Sequence, residues 1–203
     1  MFITFEGGEG CGKSTHSKLL REYLKSKGYK VVLTLEPGGT MIGRKLRKYL
    51  LKGKKLCSKF TELFLFAADR LEHIEQVIKP AIKAGKIVIS DRYIDSTTAY
   101  QMGGRKLPSK LIHLVNQISS CGVKPDITIL LDVDPKKGIY RGTKYTGKDK
   151  FESEDRAFHN RVRKAYLSAA RKDPKRIKLI STSQPIHSVQ TAIRRIIDEK
   201  LGN

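Results

Sequence analysis

The chain is 203 residues long, 39% hydrophobic and 30% charged, enough for one domain whose core needs neither disulfides nor a structural metal. Forty-one Lys and Arg against twenty Asp and Glu leave a formal net charge of +21, which suggests a polyanionic partner: nucleic acid, a phosphorylated metabolite or an anionic membrane. No apolar run approaches the roughly 18 residues of a membrane span, Glu6 arrives too early for a signal peptide, and the three cysteines Cys11, Cys57 and Cys121 fit reduced thiols, so a cytoplasmic protein without membrane attachment is expected.

Near-continuous apolar runs alternate with longer segments of helical period. Phe2–Glu6 predicts a first strand, and the stripe His16, Leu19, Leu20, Tyr23, Leu24, closed by Gly28, predicts the helix after it. Residues 30–35 predict a second strand. Phe60, Leu63, Phe64, Ala67, Leu71, Ile74 and Ile78 predict a long helix that kinks or breaks at Pro80. Ile87–Asp91 and Ile127–Asp132 predict the third and fourth strands. Residues 142–150 hold two glycines and no apolar period; they predict a mobile loop between helices, part of a lid spanning residues 142–152. Phe158, Val162, Ala165, Tyr166 and Ala169 predict another helix, residues 177–180 a fifth strand, and Ile186, Val189, Ile193, Ile196 and Ile197 the last helix. Runs of this kind suit strands buried on both faces of a parallel sheet. The alternation therefore predicts one α/β domain over residues 1–203, a doubly wound, five-stranded parallel sheet with helices on both faces. Ligands belong at the carboxyl ends of such strands.

Between the first strand and its helix, Gly7-Gly8-Glu9-Gly10-Cys11-Gly12-Lys13-Ser14 satisfies G-x-x-x-x-G-K-S/T. Glycines let consecutive N–H groups curl toward an anion, and the helix N-terminus adds its dipole. Lys13 can reach the β- and γ-phosphates of a nucleoside triphosphate, and the Ser14 hydroxyl can ligate Mg2+. A carboxylate for the metal is needed at a strand's carboxyl end, where Asp91 and Asp132 are both available. Asp91 is favoured, because Arg92-Tyr93 follows it at once, whereas Asp132 leads into Asp134-Pro135, which reads as a helix start.

Four separated motifs, in order, resemble the thymidylate kinase family in its bacterial form. They are Phe5-Glu6-Gly7-Gly8-Glu9-Gly10-Cys11-Gly12-Lys13-Ser14-Thr15, then Glu36-Pro37-Gly38-Gly39-Thr40, then Asp91-Arg92-Tyr93, then the lid ending Asp149-Lys150-Phe151-Glu152. The resemblance covers essentially the whole chain. It implies a P-loop NTPase fold with a lid, and a transferase that moves the γ-phosphoryl of ATP to dTMP with Mg2+, giving dTDP and ADP for dTTP synthesis. It also implies a homodimer. On the acceptor side, it puts Arg47 and Arg92 on the dTMP phosphate, Phe66 and Arg70 on thymine, and Thr97 near the base, with Glu36, Pro37, Ser96 and Gln101 also against the substrate. Tyr100 falls against the sugar, where a ring can exclude a 2′-hydroxyl, and Glu9 beside the acceptor sugar and the metal. On the donor side, Thr15 falls with the P-loop, Arg141 against adenine, and Thr182 and Gln184 in the adenine loop. Lys150 stands where the family usually has Arg, and the other lid cations are Lys144 and Lys148. The P-loop holds no arginine, so lid lysines would supply transition-state charge, each as a point cation rather than a bidentate fork. Cys11 stands where Ala or Ser is usual; it reads as a reactive thiol of lowered pKa or as a small filler.

Two other readings compete. A deoxynucleoside kinase shares the fold and would use Glu36 as general base on a neutral hydroxyl, but Gly38-Gly39-Thr40 and Asp91-Arg92-Tyr93 argue against it. The charge prompts a nucleic-acid-binding P-loop ATPase, yet no DNA- or RNA-binding module is recognisable, and no nucleic-acid partner is expected. Lys52, Lys54, Lys55 and the run 171–176 have no part in this chemistry and read as solvated surface.

Overall fold

A computed structural model describes residues 1–52, 58–146 and 150–202. Strands β1 (Phe2–Glu6), β2 (Val31–Leu35), β3 (Ile87–Asp91), β4 (Ile127–Asp132) and β5 (Ile177–Ser181) form one sheet in the order β2-β3-β1-β4-β5, with every pairing parallel. Each lies within a residue of its expected bounds. The central strands are buried along almost their whole length. The edge strands β2 and β5 are not, because an edge has one neighbour and thinner cover, so burial on both faces holds only for the middle of the sheet.

Side chains alternate across the sheet, and each face has its own core. Ile3, Phe5, Ile89 and Ile129 pack with Leu20 and Leu24 of α1 (Lys13–Ser26) and Val189, Ile193 and Ile197 of α9 (Ile186–Leu201). Phe2 and Val88 turn the other way, onto Ile74, Ile78 and Tyr93. Register sets Phe5 beside Asp91 and Glu6 beside Leu130. The loop after β1 and the turn after β3 therefore leave the sheet at the same level.

The connection between β2 and β3 contains α2 (Met41–Lys52), α3 (Lys59–His73), a π-helical turn Ile74–Ile78 and α4 (Lys79–Lys83). Pro80 does not break the helix. The preceding turn widens, and the Lys79 N–H reaches back five residues to the Ile74 carbonyl. The apolar stripe expected for α3 is only partly its buried face. Leu63 and Ala67 are buried, but Phe60 and Phe64 are exposed, while Glu62, Asp69, Arg70 and His73 face inward. Hydrophobic period misreads such a helix because its inner face lines a polar site.

After β3 come α5 (Ile94–Thr97), a second π-helical turn Thr98–Gly104 and α6 (Ser109–Ser119). After β4 come α7 (Pro135–Thr146) and α8 (Arg156–Lys172). A Cβ on Gly104 would lie 2.4 Å from the Phe158 ring, so glycine there lets α8 pack against the π turn. The loop expected over 142–150 is helical as far as Thr146, because α7 starts on Asp134, whose side chain accepts the Lys136 N–H at 3.0 Å, and continues past Gly142. Lys148 and Asp149 lie outside the described residues. Arg176 is not solvated surface. It forks onto Asp95 at 2.7 and 3.0 Å and ties β5 to the helix after β3. Among the described residues, no helix is long and apolar enough to cross a membrane.

Candidate active site

At the carboxyl ends of the central strands lies a cavity of about 1410 Å³, walled by the glycine loop, the Glu36-Pro37 turn, α2, α3, the β3–α5 turn, residues 150–153 and the 182–186 loop. Single-ligand pockets hold about 300–1,000 Å³, so this one has room for two nucleotides.

One compartment is built for phosphate. Gly7, Gly10 and Gly12 have φ of +142°, +60° and +91°, and a Cβ on Gly7 would lie 2.3 Å from the Leu131 carbonyl oxygen. Only glycine permits this curl. Gly12 starts α1, Gly8 and Glu9 complete the loop, and Thr15 lines the cavity from the first turn. Lys13 Nζ lies across the loop, donating to the Gly7 and Gly8 carbonyls at 3.1 and 2.7 Å. Ser14 Oγ donates to Asp91 Oδ2 at 2.5 Å, whereas Asp132 is forked by Arg163 at 2.7 and 2.8 Å. Of the two candidate carboxylates, the one beside Ser14 is therefore Asp91. Burial pushes the Cys11 thiol up, with Lys13 and Arg92 opposing, which favours the filler over the reactive thiol. Arg141 donates to the Thr182 carbonyl at 3.2 Å, and Gln184 lines the same end.

The second compartment is aromatic and cationic. Phe66, Tyr100 and Phe151 form a wall, with Phe151 lying 5.5 Å edge-on from Tyr100 and 6.0 Å from Phe66. Arg70 is buried beside it, over the Tyr93 ring at 5.1 Å, donating to Glu36 Oε2 at 2.8 Å and Asn116 Oδ1 at 3.1 Å. His73 Nδ1 lies 3.0 Å from the other Glu36 oxygen, and His73 Nε2 lies 2.6 Å from Thr34 Oγ1. Both Glu36 oxygens are thus engaged inside the protein, and the carboxylate braces Arg70 at the cavity wall. Arg47 donates to the Pro37 carbonyl at 2.8 Å, and the Gly38 N–H donates to Asp69 Oδ1 at 3.0 Å, so α2 and α3 both pin this turn. Thr97 and Gln101 are buried on the next wall, with Gln101 donating to Glu62 at 3.0 Å.

Arg92 stands where the compartments meet. Its NH2 donates to Glu9 Oε1 at 2.9 Å and to the Tyr100 hydroxyl at 3.1 Å; its NH1 donates to the Gly7 carbonyl and to Ser96 Oγ, both at 3.2 Å. Burial alone would raise the Glu9 carboxyl, but Arg92, Lys13 and the Tyr100 hydroxyl outweigh it and bring it down to about 2. Glu9 is therefore an anion at neutral pH. Lys150 also lines the cavity, with Nζ 2.9 Å from Glu62 Oε2, an oxygen that Arg105 also approaches at 3.1 Å. Lys144 belongs to α7, and Lys148 lies outside the described residues.

The sequence reading missed Glu6, Asn116, Phe151 and Tyr166 as site residues. Phe151 had a signal, since it lies within the last quoted motif. Glu6 had the same kind of signal, inside the first quoted motif, whereas Asn116 and Tyr166 had none, because they meet the site only through long-range packing.

Asp69 gives a prediction of its own. Burial and the Glu36 charge push its carboxyl up from 3.8 to about 6, and its buried Oδ2 has no hydrogen-bond partner among the described residues. Between those values the native state binds more protons than the unfolded chain, so stability falls as pH rises through that window. Asparagine has no such proton. Relative to wild type, Asp69→Asn is expected to melt higher at pH 8 than at pH 4.5 by thermal denaturation, and a difference independent of pH would contradict the assignment.

A phosphate compartment and a base compartment that open into one cavity, with an arginine at their junction, make the layout of a P-loop nucleotide kinase. A thymidylate kinase family model matches residues 5–193. A thymidylate kinase from Dehalococcoides mccartyi is 46% identical, covering 100% of this chain and 97% of its own. One from Maridesulfovibrio salexigens is 44% identical, covering 99% and 96%. The crystal structure of an Ehrlichia chaffeensis thymidylate kinase superposes with a TM-score of 0.81 at 38% identity, over 98% of each chain. The chain belongs to the thymidylate kinase family.

Proposed function

We infer that the chain transfers the γ-phosphoryl of ATP to dTMP, releasing dTDP and ADP. One observation carries this reading above the others. The Arg92 guanidinium lies 3.2 Å from the Gly7 carbonyl of the phosphate loop and 4.9 Å from the Tyr100 ring of the aromatic compartment. A phosphate attached to a base in the second compartment would therefore meet the phosphate end of a nucleotide in the first.

The acceptor is a phosphate monoester carrying about −1.5 to −2 charge at pH 7, so no general base is required, consistent with the engagement of Glu36. In-line positioning and charge stabilisation remain. Lys13 and the P-loop amides hold the ATP phosphates. Arg92 and Arg47 orient the dTMP phosphate, Phe66 stacks on thymine, Arg70 bonds its edge, and Thr97 and Gln101 close the base pocket. Tyr100 lies against the sugar, while Arg141, Thr182 and Gln184 hold adenine. Lys144, Lys148 and Lys150 are the lid cations for the transferring group, with Lys150 on Glu62 at 2.9 Å. Ser14 Oγ and Asp91 Oδ2 are hard oxygen ligands in contact beside the phosphate loop, a donor set that suits Mg2+. When bound, Mg2+ neutralises charge on the β- and γ-phosphate oxygens.

The reading extends to a homodimer in the cytoplasm. Exposed apolar side chains on the packed helices α2, α3 and α6, among them Ile42, Phe60, Phe64, Leu114 and Ile118, support a second copy as their cover. Phosphoryl transfer is tested by ADP release over a panel of nucleoside monophosphates and thymidine. The expected best acceptor is dTMP; thymidine outperforming dTMP would restore the deoxynucleoside kinase reading.

A further inference from the structure

Glu6 is wholly buried at the end of β1, one residue before the phosphate loop. Three donors converge on its carboxylate: the Tyr93 N–H on Oε1 at 2.8 Å, and Ser96 Oγ and the Tyr166 hydroxyl on Oε2 at 2.6 and 2.9 Å. These groups surround Arg92 from both sides. The same two hydroxyls accept from Arg92 NH1, at 3.2 Å for Ser96 and 3.4 Å for Tyr166. Tyr93 is its neighbour in the chain. Arg92 itself has φ +76°, an uncommon conformation for a residue with a side chain. The Arg92 N–H on the Phe5 carbonyl at 2.9 Å and Ser90 Oγ on the Arg92 carbonyl at 2.8 Å complete the clamp on this turn.

We propose that Glu6 is a positioning residue for Arg92, fixing its backbone through the Tyr93 N–H and its guanidinium through the Ser96 and Tyr166 hydroxyls. Each hydroxyl donates to the carboxylate and so turns a lone pair toward Arg92. Glutamine has one oxygen for three donors: with its NH2 toward Ser96 and Tyr166 the hydroxyls must turn lone pairs away from Arg92 to accept from it, and with its NH2 the other way it opposes the Tyr93 N–H, so either orientation loosens the hold on Arg92. The inference rests on the reading of Arg92 as a ligand of the dTMP phosphate. Asp95 and Arg92 are the charges that act on Glu6, and burial with the Asp95 charge pushes its carboxyl up to about 7. The test therefore belongs at pH 8, where Glu6 is ionised.

The experiment measures Kd for dTMP and for thymidine, which lacks the phosphate, by calorimetry. A general loss of structure weakens both ligands; a displaced Arg92 weakens only dTMP. Glu6→Gln is expected to reduce the dTMP preference over thymidine about tenfold, and Arg92→Ala about a hundredfold. Adding Glu6→Gln to Arg92→Ala is expected to change the preference no further. Equal weakening of both ligands by Glu6→Gln, or full additivity with Arg92→Ala, overturns the proposal alone. A wild-type preference in Arg92→Ala overturns the phosphate reading and the proposal with it. If Glu6→Gln does not fold, Tyr166→Phe takes its place. A selective loss of about threefold, as for one weakened hydrogen bond, supports the proposal, and an unchanged preference overturns it.

Discussion

Lys13→Ala is expected to lower kcat by about a thousandfold while the protein stays folded. The ammonium lies across the phosphate loop, held by the Gly7 and Gly8 carbonyls at 3.1 and 2.7 Å. On the proposed reading its target is charge that develops between the β- and γ-phosphates, where a preorganised cation acts most strongly on the transition state. The loop does not depend on it. Its curl comes from the positive φ of Gly7, Gly10 and Gly12, and α1 is anchored by the buried Leu20 and Leu24. Single-turnover transfer together with a melting curve separates the two quantities, and wild-type turnover in the variant would remove the P-loop from the mechanism.

Arg70→Ala is expected to be costly in two independent ways. It strands the buried Glu36 carboxylate with His73 alone, and breaking a buried pair from one side costs about 3–5 kcal/mol of stability. On the proposed reading it also removes the group beside the aromatic wall that bonds the thymine edge, raising KM for dTMP about a hundredfold. Adding Glu36→Gln separates the effects. Neutralising the stranded carboxylate should recover much of the stability, read from denaturant unfolding, and none of the KM. Joint recovery would mean that Arg70 acts on substrate only through the fold.

The strands and the phosphate loop were legible because each is written in adjacent residues. Ile87 to Asp91 reads as a buried strand wherever it sits, and the glycines before Lys13 carry their own backbone requirement. That Asp91 rather than Asp132 lies at the phosphate loop was also readable, since Arg92 and Tyr93 follow the first and a helix start follows the second. The inner face of α3 was not. Its buried polar positions are Glu62, Asp69, Arg70 and His73, residues that turn inward only because partners from β2, the following turn, the second π-helical turn with Arg105, α6 and Lys150 meet them there. Likewise, no local pattern connects Glu6 to Tyr166 across 160 residues. The helix to Thr146 was hidden by Gly142, which was read as loop. The +21 charge pointed toward polyanions, and Lys13, Arg47, Arg70 and Arg92 do line the cavity. Arg176 shows that some of the remainder ties the fold together.

The central claim is that one cavity joins two nucleotides and moves a phosphoryl group between them. The most direct measurement follows the label from γ-labelled ATP after incubation with dTMP and Mg2+, with thymidine and with DNA in parallel. The account predicts label on dTDP, formed from dTMP alone. Label on dTMP made from thymidine, or label released as inorganic phosphate in response to DNA, would contradict it.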